Sequence, residues 1–522
     1  KKNMENNKQE AKQENIQSTQ PIQEQINNDD LHGQEYRNKV KTNLSKQILE
    51  GNQFTLLFNF ALPQFIALLV DTFCNYLSWY FQATFISHSF YQASLIYNSF
   101  INIVSKFIPQ AIAQGHSIKL ITMINNKATK EELSFTVTNH FRVQFFVGIV
   151  LSIMGIAISF VLPSFAAFKT YCVTQSLFQP MCVALSCSYT IVFMLESRRL
   201  VMFSLICVRP ILQLFMEIFG YSFQSTTTEN TPTTVGCIVS YLIVAVWIVF
   251  LNFGKSALGV TNLQEFPLRD VFKTEELLSK KFFSDFGQLM VLAINGLSNV
   301  ASCAAVIICA VAVQNSYTDS AMMEQMFLHL FTFTFFGIVF RCGSTALNGL
   351  YTQLAIQNTL VQKYSRLIST MLILIIVSAI INVLLYLLFS NADLLRFFIV
   401  EDLDSVDLSS TILYSTIAGF GQSFVEVAVT QNLVDQTYYV LIILPILKIV
   451  QVILCSSYSQ TQIGDEADYV QVLFFTEMNS AACAFVIVVV NIATIWLKQR
   501  KTKTKASTNK SLTLEEQLAE IK

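Results

Sequence analysis

The hydrophobic and polar positions of the chain alternate on the scale of whole segments, with apolar runs of about 20 residues separated by polar stretches. A run of that length crosses a hydrocarbon layer of roughly 30 Å as a helix. The short alternating segments of a membrane β-barrel do not recur. The pattern therefore predicts twelve transmembrane helices, at 54–80, 88–114, 141–166, 172–195, 200–223, 234–253, 286–313, 322–350, 366–390, 408–430, 438–457 and 469–497.

The longest interior polar stretch divides these helices into two sets of six. We expect an N-lobe at 51–253, a cytosolic connector at 254–285 and a C-lobe at 286–497. Residues 1–50 are rich in Gln, Asn, Lys and Glu, which predicts a disordered cytosolic tail. Residues 498–522 begin with a basic cluster and are predicted to form a cytosolic C-terminal tail.

Lysine and arginine concentrate in the loops that twelve spans place on one side, for example at Lys127, Arg199 and Lys363. The opposite loops hold little more than Lys169 and Arg396. Cytoplasmic loops are enriched in these residues. We therefore expect a multi-pass protein of the plasma membrane or an endomembrane, with both termini in the cytosol.

The two sets of helices share a pattern that predicts an internal repeat. Gln110 and Gln114 stand four residues apart at the predicted end of the second helix, and Gln353 and Gln357 do so after the eighth. Six is an even number of spans, so the halves have the same orientation. The fold class predicted is all-α and integral to the membrane, with twelve helices in two pseudo-symmetric lobes.

The composition agrees with a membrane protein and excludes several functions. Hydrophobic residues make up 53% of the chain and charged residues 13%, against roughly 25% charged residues in soluble domains. The sequence has no Cys-x-x-Cys, His-Glu-x-x-His or Gly-x-Ser-x-Gly motif and no basic aromatic patch. We expect a monomer in the lipid bilayer that is not an enzyme and binds no metal, cofactor or nucleic acid.

Asp71 is the first acidic residue predicted to lie deep in a span, and Gln64 and Asn75 share its helix face. An intramembrane acid is costly and usually functional. We therefore expect Asp71 to bind a proton or sodium. The alternative is a buried carboxylate held by helix-end or loop groups. Lys106, in the second helix, is expected to extend its amino group to the membrane interface. The alternative is that it lies in the cleft and repels cations.

Arg209, Gln213 and Glu217 form a stripe along the fifth helix. Arg209 and Glu217 are two turns apart, roughly 12 Å, so a direct pair is not expected. Glu217 is a second candidate for ion coupling. Alternatively, Arg209 neutralises a carboxylate of another helix, which would weaken a role of that acid in proton binding.

The second lobe has its own candidate polar site, formed by Gln422, Glu426, Arg341 and Lys448. We expect a structural ion pair between Glu426 and either Arg341 or Lys448 rather than an ion-binding site. Glu477, in the last helix, has no evident partner in the sequence.

Four segments resemble the multidrug and toxic compound extrusion (MATE) family. The first helix reads Ala61-Leu-Pro63-Gln-Phe-Ile-Ala-Leu-Leu-Val-Asp71-Thr72, similar to the Leu-Pro and Asp-Thr of that family. The others are Ser105-Lys-Phe-Ile-Pro-Gln110-Ala, Gln213-Leu-Phe-Met-Glu217 and Val235-Gly236-Cys. The resemblance covers roughly 54–497.

The resemblance implies an antiporter that exports organic cations or other amphipathic solutes in exchange for protons or sodium. Asp71 would be the coupling acid, with help from Glu217, Gln213, Asn75 and Gln64. The seventh and tenth helices lack the acids that the family has there. Two alternatives follow: a flippase for a lipid-linked substrate, and a scaffold or sensor that no longer transports.

Overall fold

The computed structural model describes residues 51–85, 97, 99–125, 128–161, 169–195, 199–223, 231–253, 283–284, 286–287, 295–316, 320–360, 362–391, 408–435, 437, 439–461 and 469–520. The predicted N-terminal tail and nearly all of the predicted connector lie outside these residues.

The described residues form twelve long helices and no strand. Helix α1 joins Gln53–Leu56, a π-helical turn Leu57–Ala61 and Leu62–Phe85, and α2 joins a π-helical turn Ser99–Val104 and Ser105–Asn125. The others are α3 Lys130–Val161, α4 Lys169–Leu195, α5 Arg199–Phe223, α6 Thr231–Phe253, α7 Asn295–Ser316, α8 Ser320–Leu360, α9 Tyr364–Phe389, α10 Ser409–Val434, α11 Tyr439–Thr461 and α12 Tyr469–Glu520.

Each predicted span corresponds to one of these helices, so the predicted helix count is confirmed. The main differences are at the ends. Helices α2 and α8 continue about three turns beyond their predicted ends, and α12 continues through the predicted basic tail. A helix can extend past the hydrocarbon layer because its backbone hydrogen bonds are internal, whereas the apolar run marks only the part inside the layer.

The outer surface of the helix bundle is apolar. By length and hydropathy, α1, α3, α8, α9, α10 and α12 can each cross a membrane, and α6, α7 and α11 contain shorter apolar segments. Large side chains such as Ile376, Ile380 and Leu387 of α9 are exposed. Lipid is the solvent that accepts such a surface, and the chain is a multi-pass membrane protein.

The packing of the helices repeats between the halves, which confirms the two-lobe fold. In the first lobe α1 packs on α5, α3 packs on α4, and α6 packs on both α4 and α5. In the second lobe α7 packs on α11, α9 packs on α10, and α12 packs on both α10 and α11. Each contact recurs six helices later.

The two glutamine pairs do not occupy equivalent places in this repeat. Gln114 lies about three turns before the end of α2, whereas Gln357 lies less than one turn before the end of α8. The repeat is therefore carried by the packing of the helices and not by the residues from which we predicted it.

The lobes meet through α1 against α8 and α2 against α7. We call the side where α1 begins the terminal side. There, the Gln53 side-chain amide donates to Thr370 (2.8 Å), and Gln114 donates to Thr430 of the other lobe (2.6 Å). On the opposite side the lobes meet through aromatic rings, and the ring centroids of Tyr76 and Phe335 lie 4.3 Å apart. An apolar core layer lies on each side, with polar residues between them.

Candidate functional site

A cavity of about 240 Å³ lies between the two core layers, and both lobes contribute to its wall. Part of the wall is apolar, including Leu68, Phe107 and Val425. Its seven charged residues come from seven different helices. They are Asp71, Lys106, Arg209, Arg341, Glu426, Lys448 and Glu477.

Asp71 of α1 lies between two cations, in a group that we call the first cluster. Lys106 of α2 places its Nζ 2.5 Å from Asp71 Oδ2, and Arg209 of α5 places its Nη2 3.0 Å from Oδ1. Asn75, one turn along α1, donates to Asp71 Oδ1 (3.0 Å). The prediction that Lys106 reaches the membrane interface is wrong, because a carboxylate in the cavity wall offers it a stronger partner.

A chain of hydrogen bonds leads from this cluster into the first lobe. Arg209 donates to Asn75 Oδ1 (2.9 Å) and to Gln213 Oε1 (2.9 Å). Gln213 Nε2 donates to Glu217 Oε1 (2.9 Å), which also accepts the hydroxyl of Ser78 (2.8 Å). The spacing of four residues on α5 places these side chains one above another, facing α1. The structure shows the predicted pair of Arg209 with a carboxylate of another helix, Asp71 of α1.

Glu217 ends this chain and is fully buried. It lies behind Gln213, and two neutral donors serve its Oε1. Its Oε2 has no hydrogen-bond partner among the described residues. Glu217 is therefore a buried carboxyl group with room to accept a proton without breaking an ion pair.

Glu477 of α12 lies between two cations in the second lobe, in a group that we call the second cluster. Its Oε2 lies 2.8 Å from Arg341 Nη2 and 2.7 Å from Lys448 Nζ. Ser302 of α7 donates to Oε1 (3.0 Å). The predicted ion pair between Glu426 and Arg341 or Lys448 is therefore wrong. Both cations pair with Glu477, because the packing of α12 against α10 and α11 brings it to them.

Glu426 of α10 instead belongs to a hydrogen-bonded chain that crosses between the lobes. It accepts the side-chain amide of Asn348, and Asn348 Oδ1 accepts the hydroxyl of Thr430 (2.6 Å). Thr430 also accepts the amide of Gln114 from the first lobe. Gln422, one turn before Glu426, lies in the cavity wall.

The structure joins four of the five predicted coupling residues in one hydrogen-bonded network. Asp71, Asn75, Gln213 and Glu217 form one connected network. Gln64 lies in the cavity wall against Gly349 of α8 and makes no hydrogen bond to that network among the described residues. Its predicted position on the face of Asp71 is correct, but two turns separate the two side chains.

Sequence reasoning missed that Glu477 belongs to the site, and for Lys106 it favoured the membrane interface over the cleft, where the structure places it. The sequence carried a signal for both residues, since each is a charged side chain within a predicted span, and such a side chain needs a partner in the hydrocarbon layer. The sequence left the partner open, since that depends on how the helices are rotated.

No protein-family model matches the chain, and no curated protein matches it in sequence. Solved structures do match. A multidrug resistance MATE family transporter of the MOP superfamily, in an outward-facing conformation, has a TM-score of 0.62 and 12% identity, and covers 88% of this chain and 98% of its own. A MATE structure in the straight conformation has a TM-score of 0.62 and 13% identity, and covers 86% and 98%.

A third match is a MOP superfamily transporter from Pyrococcus furiosus, with a TM-score of 0.63, 13% identity and coverage of 86% and 98%. Its description states that a reverse polarity of the binding pocket suggests a different function. At these identities the matches establish the architecture. The chain has the MATE fold, with a charged cavity where its two six-helix lobes meet.

Proposed function

We propose that the protein is a secondary transporter that moves an amphipathic solute through the central cavity by alternating access. The observation that supports this most directly is the cavity itself, which lies between the lobes and is lined by both charged and apolar residues. A cavity at the interface of two repeats is the usual place for substrate in such folds.

The two closures of the cavity differ in chemistry. Polar side chains close the terminal side, and aromatic rings close the opposite side. Polar contacts can exchange with water, whereas separating the rings exposes apolar surface. We infer that the structure is ready to load from the terminal side, which in the predicted orientation makes the protein an exporter.

We infer that a proton taken up by Glu217 drives the change. A protonated Glu217 becomes a donor, which weakens its bond from Gln213 and allows Gln213 to turn. Gln213 then releases Arg209, which holds Asp71 of α1, the helix that contacts the other lobe. Protonation of Asp71 itself would leave two cations without a carboxylate. The coupling role predicted for Asp71 thus becomes that of a relay.

The test uses the full chain reconstituted in liposomes, with one cationic and one anionic fluorescent amphiphile under an imposed pH gradient. We expect Glu217→Gln to reduce gradient-driven transport by at least ~100-fold, since the amide cannot take up the proton but keeps an oxygen for Ser78 and Gln213. Exchange of solute without a gradient should persist.

Two outcomes would contradict this proposal. Gradient-driven transport that survives Glu217→Gln would remove the coupling role of Glu217. Transport of neither amphiphile by folded wild-type protein, under proton or sodium gradients, would favour the scaffold or sensor. The matched control is Glu426→Gln, which changes an acid in the cavity wall that bonds to Asn348 of the second lobe and not to the network of Glu217.

A flippase for a lipid-linked substrate is the second candidate. The four cationic side chains in the wall favour it, since such substrates carry phosphate. The Pyrococcus furiosus transporter, whose pocket is described as reversed in polarity, gives a precedent within this fold.

A further inference from the structure

The charges of the cavity wall are unequal. Four cations and three acids line it. In each cluster one carboxylate lies between two cations, so each cluster carries one positive charge in excess. We propose that the cavity binds its solute through an anionic group, a phosphate, sulfonate or carboxylate, held between the two clusters. This proposal rests on the transport function proposed above and names its substrate class.

The first argument is the energy of the excess charge. A charge at mid-depth in a membrane protein is costly unless an opposite charge accompanies it. Asp71 neutralises one of its two cations, and Glu477 neutralises one of its two. Glu426, the third acid of the wall, offsets one of the two remaining positive charges, and an anion in the cavity would neutralise the other.

The second argument is that in each cluster one of the two cations is more exposed than the other. The side chain of Lys106 is 18% exposed and that of Arg209 is 8% exposed. In the second cluster Arg341 is 12% exposed and Lys448 is 6% exposed. The more exposed cation in each cluster is free to turn towards a ligand, while the more buried one keeps the carboxylate paired.

Lys106 and Arg341 also occupy equivalent places in the two lobes. Each lies about five turns before the end of its helix, in α2 and α8, which are the second helices of their lobes. Each lobe therefore offers the cavity one such cation. Arg341 has a donor to offer, since its buried Nε has no hydrogen-bond partner among the described residues.

The third argument is the remainder of the wall. Leu68, Phe107, Val183, Val425 and Leu444 give it apolar surface beside the charges. A ligand with an anionic group and a compact apolar body satisfies both parts. An organic cation, by contrast, would find only Glu426 without an ion-pair partner in the described wall, and that acid already accepts a bond from Asn348.

The test measures binding, without a gradient, to the full chain in phosphatidylcholine nanodiscs by isothermal titration calorimetry. The probes are 1-naphthyl phosphate and a naphthyl trimethylammonium salt, which share the apolar body and differ in charge. We expect the phosphate to bind at least ~10-fold more tightly than the cation.

The variants remove the excess charge but keep one ion pair in each cluster. Lys106→Met leaves Asp71 with Arg209, and Arg341→Met leaves Glu477 with Lys448. Each should weaken phosphate binding at least ~10-fold, and the double variant should prefer the cation. Lys106→Arg should restore binding. The matched control is Lys498→Met, which removes a 44% exposed lysine outside the cavity wall.

A second arm distinguishes a lipid headgroup from a soluble anion. Phosphatidylglycerol in the nanodiscs would compete with naphthyl phosphate, in a manner dependent on Lys106 and Arg341, if a lipid is the source of the anion. Absence of competition would indicate a soluble organic anion. Both results support anion recognition.

Equal or tighter binding of the cation by the wild type would overturn this inference, as would phosphate binding that the variants leave unchanged. Arg341→Met could fold poorly, so Lys106→Met, at the more exposed position, decides alone in that case. Gradient-driven transport of cations without phosphate binding would overturn the anion inference only. Phosphate binding without gradient-driven transport would overturn the proposed coupling only.

Discussion

The two lobes build the same electrostatic unit from different helices. In the first lobe the acid between two cations is Asp71 of α1, the first helix. In the second lobe it is Glu477 of α12, the last helix, while α7 supplies Ser302. Asp71 and Ser302 both lie about four turns before the end of their helices. The repeat has thus kept the arrangement of charge and changed the helix that carries the acid.

The lobes also differ behind these clusters. In α5, Gln213 and Glu217 follow Arg209 at steps of four residues and extend the network into the lobe. In α11, Val452 and Ser456 stand at the same steps after Lys448. The comparison teaches that both lobes line the cavity with a charged cluster, but that among the described residues only the first lobe links its cluster through hydrogen bonds along α5 to a second buried carboxylate.

The strongest test of the comparison replaces each central acid by its amide. Glu477→Gln leaves Arg341 and Lys448 without a carboxylate and should lower the free energy of unfolding by about 3–5 kcal/mol. Asp71→Asn should cost less, about 2 kcal/mol, since Arg209 keeps its bonds to Asn75 and Gln213. Thermal unfolding in a neutral detergent measures both.

In the same experiment, Lys498→Met breaks a surface pair with Asp435 and should change stability by ~0–1 kcal/mol. A larger loss for Asp71→Asn than for Glu477→Gln would reverse the comparison, and would show that α1 depends on its acid more than α12 does.

A smaller effect is expected from close packing in the second lobe. A Cβ at Gly419 of α10 would meet the Cβ of Phe340 and, at 3.2 Å, its backbone carbonyl carbon on α8. Gly419→Ala should therefore destabilise the protein by about 1–3 kcal/mol. At Gly337, also on α8, a Cβ would meet nothing within 4 Å, so Gly337→Ala should be neutral or stabilise by up to ~1 kcal/mol.

Thermal unfolding of these two variants under the same conditions separates the cost of close packing from the gain in helix propensity when Gly is replaced by Ala. If Gly419→Ala is as stable as Gly337→Ala, α8 and α10 are not held in close contact. The first lobe offers the parallel case, since a Cβ at Gly155 of α3 would lie 2.7 Å from Ser176 Oγ of α4.

The smallest effect concerns the contact between the lobes on the terminal side. Gln114→Ala removes the bond to Thr430 and should shift the conformational equilibrium towards opening on that side by about 1 kcal/mol. Distances between spin labels on the terminal ends of α2 and α10 would report the shift. Thr122→Ala is the control, because that hydroxyl bonds within its own helix, to the Ile118 carbonyl. An unchanged distance distribution for Gln114→Ala would assign the closure to other contacts.

The helices could be predicted from the sequence because a hydrocarbon layer requires long apolar runs, and α9 or α10 match their predicted ranges closely. The ends of α2 and α8 could not be predicted in this way. Outside the hydrocarbon layer these helices continue through polar residues, which leave no apolar run in the sequence. The network of Asp71, Gln213 and Glu217 was partly predictable, because spacing along one helix fixes a face.

The partners of Glu477 and Lys106 could not be predicted in the same way. Helices distant in sequence meet there, and the partner depends on their rotation and order of packing. The sequence indicated that each charge needs a partner and left open which of several it is.

The different origin of the two acids has a consequence for biogenesis. Asp71 enters the membrane first and meets Lys106 on the very next helix to be made. Arg341 and Lys448 enter earlier than Glu477, which arrives only with the final helix. The two cations of the second cluster therefore lack their shared carboxylate until α12 has been made. A variant truncated before α12 would keep Arg341 and Lys448 but lose that carboxylate, so the pairing of both cations depends on this one helix.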